Sequence, residues 1–351
     1  MSDRPHPVPR LTGTPPISGR FKVAPEDFRV DEIAAFDPDG AGEHCHVRLR
    51  KRDLTTKRAV ELLCRALGAD PRQAGWAGMK DRHAVTTQWV SVFGVSPEDA
   101  RGAEVEGLEV LEAHAHGRKR KPGQLRGNRF ELVVRDVPED ALPALREALE
   151  TLVARGAPNA FGAQRFGRDG DNVAKARAWL VEGGRPPRGR FEKRLYVSAL
   201  QSDAFNRALA ERLEEGSFDR PIDGDLFRKE DTGGLFVSDD LARATERCAA
   251  WEISPTGPMF GRKMRAPEGE AGAREARLRE ALGLDDAVLA RFGKLGLGTR
   301  RPYRVRVADA ELAPAEGGVR LAFALPSGAY ATVVLGELFK GGLVDASRAG
   351  S

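Results

Sequence analysis

Glu43-His44-Cys45-His46-Val47-Arg48-Leu49-Arg50 alternates between two kinds of side chain from His44 onward. A period of two is the mark of a strand, because successive side chains leave opposite sides of the backbone. Cys45, Val47 and Leu49 make the core side; His44, His46, Arg48 and Arg50 make a basic one. Downstream, Thr55 or Thr56 can cap a helix whose apolar side is Val60, Leu63 and Leu67 and which stops at Gly68. Upstream, Phe21 to Ile33 alternates more loosely and reads as one strand with a polar face. Trp89 to Phe93 and Arg129 to Arg135 are further strands. Leu142, Leu145, Leu149 and Leu152 mark a helix ended by Gly156 and Pro158.

The middle of the chain changes character, with more helix and more arginine-glycine loop. Ser198 and Gln201 read as a capping box that opens a helix carrying Phe205, Leu209 and Leu213. Another helix falls between Ala273 and Leu282. Strand patterns return at Tyr303 to Val307 and Val319 to Leu325, before a last helix around Thr332 to Phe339. Strands, then mostly helices, then strands again predict an α+β domain interrupted by an inserted one. We place a loose, proline-rich tail at 1–18, the first part of the outer domain at 19–155, the insertion at 156–305, and the second part of the outer domain at 306–351.

Composition bounds the function. The chain has 351 residues, 41% hydrophobic and 31% charged, enough for two folded domains. A net charge of +4 and a pI of about 9.0, carried mainly by arginine, permit a nucleic-acid partner without requiring one. Cys45, Cys64 and Cys248 fit neither a CxxC site nor a disulfide framework, and read as reduced thiols of a cytoplasmic protein. No apolar run approaches the roughly 20 residues that span a bilayer, and the tail has no signal-like apolar core. His44 with His46, and His114 with His116, lack a carboxylate or thiol at zinc-site spacing, so no metal is expected.

Four segments carry chemistry. In Gly78-Met79-Lys80-Asp81-Arg82-His83-Ala84-Val85-Thr86-Thr87-Gln88, the Asp81 carboxylate is bracketed by two cations, which favours its charged form. Such a group suits an anion, nucleophile or base, and equally a solvated loop whose charges satisfy one another. Gly117 to Phe130 holds Arg118, Lys119, Arg120, Lys121, Arg126 and Arg129 without one acid, broken at Pro122-Gly123. It suits phosphate contacts or a solubilising surface loop. Asn159 to Gly167 contains two Phe-Gly pairs that read as anchored turns rather than base platforms. Leu325 to Thr332 turns into the last helix, which fits a nearby phosphate or a plain helix cap.

As a set, Glu26-Asp27-Phe28-Arg29-Val30, Ala77-Gly78-Met79-Lys80-Asp81-Arg82, Gly127-Asn128-Arg129-Phe130, Phe161-Gly162-Ala163-Gln164-Arg165-Phe166-Gly167 and Leu325-Pro326-Ser327-Gly328-Ala329-Tyr330-Ala331-Thr332 resemble the TruD family of tRNA pseudouridine synthases. The resemblance runs in order over nearly the whole chain. It implies a pseudouridine synthase catalytic domain with a mixed, largely antiparallel sheet, split by a family-specific α+β insertion. It also implies an isomerase acting on uridine 13 in the D arm of tRNA, with no cofactor or metal. Carried over by motif, Asp81 is the catalytic aspartate, and Phe28, Asn128 and Tyr330 surround the target base with Phe130 beside them. Lys80, Arg82, Arg118, Lys119, Arg120 and Lys121 are the expected RNA contacts. A monomer with tRNA as partner, no obligatory protein partner and no membrane attachment completes the expectation. The sequence departs from the family pattern at Tyr330, where phenylalanine can stand, and at Gly336, where a basic residue is expected. Two rivals are an RNA-binding protein without catalysis, disfavoured by the intact Asp81 motif, and a phosphohydrolase, which would want a second carboxylate for magnesium.

Overall fold

The period-two segment forms the strand His44–Arg52, with Cys45, Val47 and Leu49 sealed in the core. The computed structural model describes residues 4–162, 165–167 and 169–348. The chain divides into two compact units: Thr14–Val153 with Val307–Ala331 and Leu338–Ser351, and Ala154–Arg306 with Met1–Gly13 and Thr332–Glu337. The sequence reading placed an insertion at 156–305, and nothing in it foresaw that two short outlying pieces cluster with the middle of the chain.

The first unit is built on a mixed sheet. Its main path runs Ala308–Ala315, Gly318–Pro326, Leu125–Arg135, Phe28–Ala34, Val85–Phe93, His44–Arg52 and Leu108–His116. Neighbours along that path are antiparallel except Phe28–Ala34 against Val85–Phe93. Ser18–Phe21 pairs in parallel with Gly342–Asp345. The helix Thr56–Ala66 starts at Thr55, whose hydroxyl accepts from the Arg58 amide as a cap. It lays Ala59, Val60, Leu63 and Cys64 on Cys45, Val47, Leu49, Val90 and Val92.

Two expectations for this unit change. Phe21–Ile33 is not one strand: Ser18–Phe21 and Phe28–Ala34 flank a turn through Lys22 and the 3-10 segment Pro25–Asp27. Pro25 sets φ for the turn and cannot continue a ladder. The basic side of His44–Arg52 is also not an open cationic face. Arg48 and Arg50 are met by Glu112 at 2.6 Å and Glu109 at 2.7 Å from the neighbouring strand, an ordinary cross-strand charge pairing. His46 is fully buried, its Nε2 2.8 Å from the Arg118 carbonyl and its ring 4.2 Å from that of His116. Burial holds its imidazole neutral, with the pKa down to about 4.

The second unit carries an antiparallel four-stranded sheet, ordered Leu235–Val237, Leu226–Lys229, Ile253–Met259 and Thr299–Pro302. Its longest helix is Arg190–Glu214, which starts eight residues before Ser198. Ser198 and Gln201 are therefore no capping box. The Ser198 hydroxyl accepts from Arg165 at 3.0 Å, and Gln201 donates to the Phe260 carbonyl at 2.7 Å. Both polar side chains serve tertiary contacts, while the upstream Arg-Phe-Glu-Lys-Arg-Leu run has helix-compatible propensity. The segment read as a loose tail also acquires partners in this unit. The His6 amide donates to Asp203 at 2.7 Å, and the Leu11 and Thr12 amides to Glu337 at 2.9 and 3.1 Å.

Candidate active site

The Met79–Arg82 loop leads into the strand Val85–Phe93, and its conformation is set by side chains beneath it. The Gln88 amide donates to the Gly78 carbonyl at 3.3 Å, and the Lys80 amide donates to the Thr56 hydroxyl at 2.9 Å. Lys51 donates to the Asp81 carbonyl at 2.6 Å. Thr56 in turn donates to Gln88 at 2.8 Å. Thr56, Gln88 and Lys51 are all buried, so three backbone groups of this exposed loop are tied to groups that cannot readily move. The loop is held before any substrate arrives.

Its two charged neighbours part company. Asp81 points outward with its side chain 55% exposed. Lys80 turns inward, 5% exposed, with its ammonium 3.3 Å from the buried carboxylate of Glu32 and hydrogen-bonded to the Asn128 side-chain oxygen Oδ1. Burial lowers the pKa of Lys80, and the Glu32 charge opposes that. Lys80 therefore does not bracket Asp81 and is not a phosphate-facing cation. Arg82 is exposed and has no ion-pair partner among the described residues.

The cation that does face Asp81 comes from elsewhere in the sequence. Lys22 Nζ lies 3.2 Å from Asp81 Oδ2 and 4.2 Å from the centre of the Phe28 ring. Lys22 has φ of 57°, a left-handed conformation uncommon for a side-chain-bearing residue. The turn that imposes it is clamped by Asp27, which accepts from the Ala24 amide at 3.0 Å and from Arg135 at 2.6 and 3.0 Å. Burial pushes the Asp27 carboxyl up, but Arg135 and the backbone donors outweigh it and keep it charged. Strain of this kind persists only where the surroundings over-determine it, and it clusters at functional positions.

Beneath Lys22 the rings form a floor. Phe28 meets Phe21 at 6.0 Å and Phe130 edge-on at 6.4 Å, and Phe130 meets Phe323 at 5.4 Å. Phe28 and Phe130 are buried, and one face of Phe28 is occupied by Lys22. Asn128 sits opposite Leu325 in the sheet, and the Ser327 amide donates to the Arg126 carbonyl at 2.8 Å. This register ties the start of the Pro326–Tyr330 turn to the strand that carries Asn128. Tyr330 is half-buried at the turn's end, just before the helix Ala331–Leu338.

The basic loop is divided. Arg118 and Lys121 are exposed, as expected of phosphate contacts. Lys119 is half-buried and donates to the Arg72 carbonyl at 3.0 Å. Arg120 departs from the expectation: it is 1% exposed, with its guanidinium 4.7 Å from the Phe36 ring and 5.3 Å from Trp89. Its backbone amide bonds to Ser91 in the adjoining strand, which carries the side chain into the interior. Gly336, where a base was expected, is approached by a base from the second unit's own outlying piece. A Cβ at Gly336 would come within 2.6 Å of Arg10 Nη1. In the Phe-Gly segment, Phe161 and Phe166 are buried as anchored rings; Ala163, Gln164 and Arg168 lie outside the described residues. Among the described residues no cluster of three metal-ligating side chains exists, and no helix is long and apolar enough to cross a membrane.

Sequence reasoning missed Lys22, Lys51 and Glu32. The left-handed turn at Lys22 carries no glycine or asparagine to announce it. Lys51 and Glu32 lie on strands where only the pairing decides what they face.

An exposed carboxylate on a braced loop, backed by a lysine and set on a mixed α+β sheet, defines a site of the kind an enzyme uses. The family profile of tRNA pseudouridine synthase D matches residues 9–183 and 191–338. A tRNA pseudouridine synthase D of Anaeromyxobacter dehalogenans is 49% identical over 346 residues, covering 97% of each chain. One of Thermus thermophilus is 38% identical over 346 residues, covering 96% of this chain and 93% of its own. In fold, the chain is similar to a Methanosarcina mazei crystal structure described as tRNA pseudouridine synthase D, with a TM-score of 0.77, 23% identity and 97% of each chain covered. The chain belongs to the tRNA pseudouridine synthase D family. Enzymes of this family are isomerases that convert uridine in tRNA to pseudouridine, and tRNA is the substrate.

Proposed function

We propose that this chain isomerises uridine 13 in the D arm of tRNA, with Asp81 as the catalytic carboxylate. The observation that carries the role of Asp81 is its geometry: it is the outward-facing acid of a loop whose backbone is pinned at three points, held 3.2 Å from a lysine ammonium. Lys22 is the cation that faces this carboxylate and fixes its direction.

The reaction breaks the C1′–N1 bond, turns the uracil and rejoins it through C5; the C5 hydrogen leaves as a proton and N1 takes one up, so the product is an isomer. A carboxylate anion serves either attack on C1′ or removal of a sugar proton. The target base must first leave its stack, at a cost of a few kcal/mol. Tyr330 offers a half-exposed ring against which a flipped base can stack, worth roughly 1–3 kcal/mol. Phe28 and Phe130, being buried, act as the floor of the site, and Phe28 is the seat of Lys22. Lys80 takes the side-chain oxygen Oδ1 of Asn128, which leaves the Asn128 side-chain NH2 to donate to a uracil oxygen. Arg82, Arg118 and Lys121 are exposed for phosphate contacts. We further propose that the enzyme works as a cytoplasmic monomer, with no partner but tRNA.

Pseudouridine mapping tests the position. A tRNA carrying uridine 13, incubated with the purified protein, should gain pseudouridine there and at no other D-arm uridine. Modification confined to a different position would overturn the assignment of uridine 13 and leave the family's reaction in place.

A further inference from the structure

Outside the Asp81 region, the surface feature that stands out lies at the start of the long helix of the second unit. Gly184-Arg185-Pro186-Pro187-Arg188-Gly189-Arg190-Phe191-Glu192-Lys193-Arg194 carries five bases and one acid, an excess equal to the net charge of the entire chain. Arg185, Arg188, Arg190 and Arg194 are exposed. None of them has an ion pair or hydrogen bond through its side chain among the described residues. Several arginines elsewhere in this unit are tied to acids: Arg212 binds Asp225, Arg300 binds Glu275, and Arg274 binds Glu215 and Glu270. The single acid of the segment, Glu192, lies beside Gly189 and leaves the arginines unneutralised.

Phe191 stands among these arginines, 78% exposed, the most exposed of the large apolar side chains described. The next is Met79 at 65%, beside Asp81. A lone exposed apolar residue needs no explanation. An exposed ring with open faces, set among unpaired arginines, has the composition of a single-strand nucleic-acid surface, where cations follow phosphates and a ring receives a base. Gly184–Arg190 also falls in the gap of the family match, between residues 183 and 191. Phe191, Lys193 and Arg194 lie inside the matched residues 191–338.

We propose that Arg185–Arg194 is a contact surface for the tRNA substrate, with Phe191 stacking on an unpaired base and Arg185, Arg188 and Arg190 contacting flanking phosphates. The proposal rests on tRNA being the substrate, and it adds a binding determinant remote in sequence from every residue assigned to the chemistry. The arginines contribute charge, and hence salt dependence; the ring contributes affinity that salt does not screen.

The test uses the full chain, a tRNA transcript, and two variants, Phe191→Ala and the triple Arg185→Gln/Arg188→Gln/Arg190→Gln. Kd is measured across a potassium chloride series, and turnover at saturating tRNA. Phe191→Ala should raise Kd about tenfold, within the range of one lost base stack, and Phe191→Trp should restore it. The triple variant should reduce the slope of log affinity against log salt by about 2, from three lost phosphate contacts. Melting temperature and kcat at saturating tRNA should stay at the wild-type value in both. Unchanged Kd and slope in variants of an active wild type would overturn the surface and leave the functional reading standing. A wild type that modifies tRNA but binds it with no salt dependence would also overturn it. A wild type that neither binds nor modifies tRNA would remove both.

Discussion

Two basic stretches of this protein have similar composition and opposite fates. In Gly117–Phe130, Arg120 is buried over Phe36 and Trp89, Lys119 is tied to the Arg72 carbonyl, and Arg129 lies 3.3 Å from Asp309. In Arg185–Arg194 the arginines stay exposed and unpaired among the described residues. The first stretch starts as a loop held between the strands Leu108–His116 and Leu125–Arg135, and the bond from the Arg120 amide to Ser91 fixes that side chain in the interior. The second contains Pro186-Pro187 and runs into the helix Arg190–Glu214, with no strand pairing of its own among the described residues. A charge run thus tells how many cations a segment has and not how many are free to bind. The tertiary contacts of the segment decide that.

The contrast can be broken by exchanging stability for binding. Arg120→Ala should lower stability by about 2–4 kcal/mol, through lost packing of a large buried side chain. Arg190→Ala should change it by less than about 0.5 kcal/mol, as exposed substitutions do. Urea denaturation of both variants checks this, and equal losses would show that the two arginines are not differently placed. A smaller effect is expected from the exposed members of the first stretch. Arg118→Gln with Lys121→Gln should leave stability alone and reduce the salt slope of tRNA binding by about 1.5. If the slope does not move, those two side chains are solvated surface and nothing more.

A pH-dependent effect concerns a buried cation under the Asp81 loop. Burial lowers the pKa of Lys51 to about 8, from 10.5 in the unfolded chain. Between those values the unfolded state binds more protons, so the penalty of burying this charge is relieved as pH rises from about 8 to 10.5. Relative to Lys51→Met, the wild type should gain stability over that window, by at most about 1.4 kcal/mol per pH unit. A stability difference that stays flat from pH 7 to 10 would mean that Lys51 keeps its ordinary pKa.

Much of the scaffold was legible because it rests on periodicity. The alternation at His44–Arg52, the Thr55 cap and the leucines of Leu142–Arg155 each state a local structure outright. The α+β class follows from their order. What failed were inferences from sequence adjacency. Ser198 and Gln201 have capping-box spacing but sit inside a helix, because longer-range partners claim their side chains. Lys80 adjoins Asp81 yet turns away from it, drawn inward by Glu32 and Asn128. Lys22, 59 residues before Asp81 in the chain, takes the place beside it. Its position depends on a clamped left-handed turn and on the registers of the strands around it, neither of which any local pattern encodes. The motif resemblance nominated Asp81, and the structure supplied its surroundings.

The central claim is that the chemistry depends on the Asp81 anion and that the site around it is already built. Asp81→Asn keeps the size of the side chain and removes only the charge, while Lys51, Thr56 and Gln88 continue to hold the loop backbone. Single-turnover formation of pseudouridine, measured with tRNA saturating, tests this directly. The account predicts tRNA affinity within about threefold of wild type, or less than about 0.7 kcal/mol, with no pseudouridine formed. Substantial turnover by purified Asp81→Asn protein, free of wild-type enzyme, would contradict it.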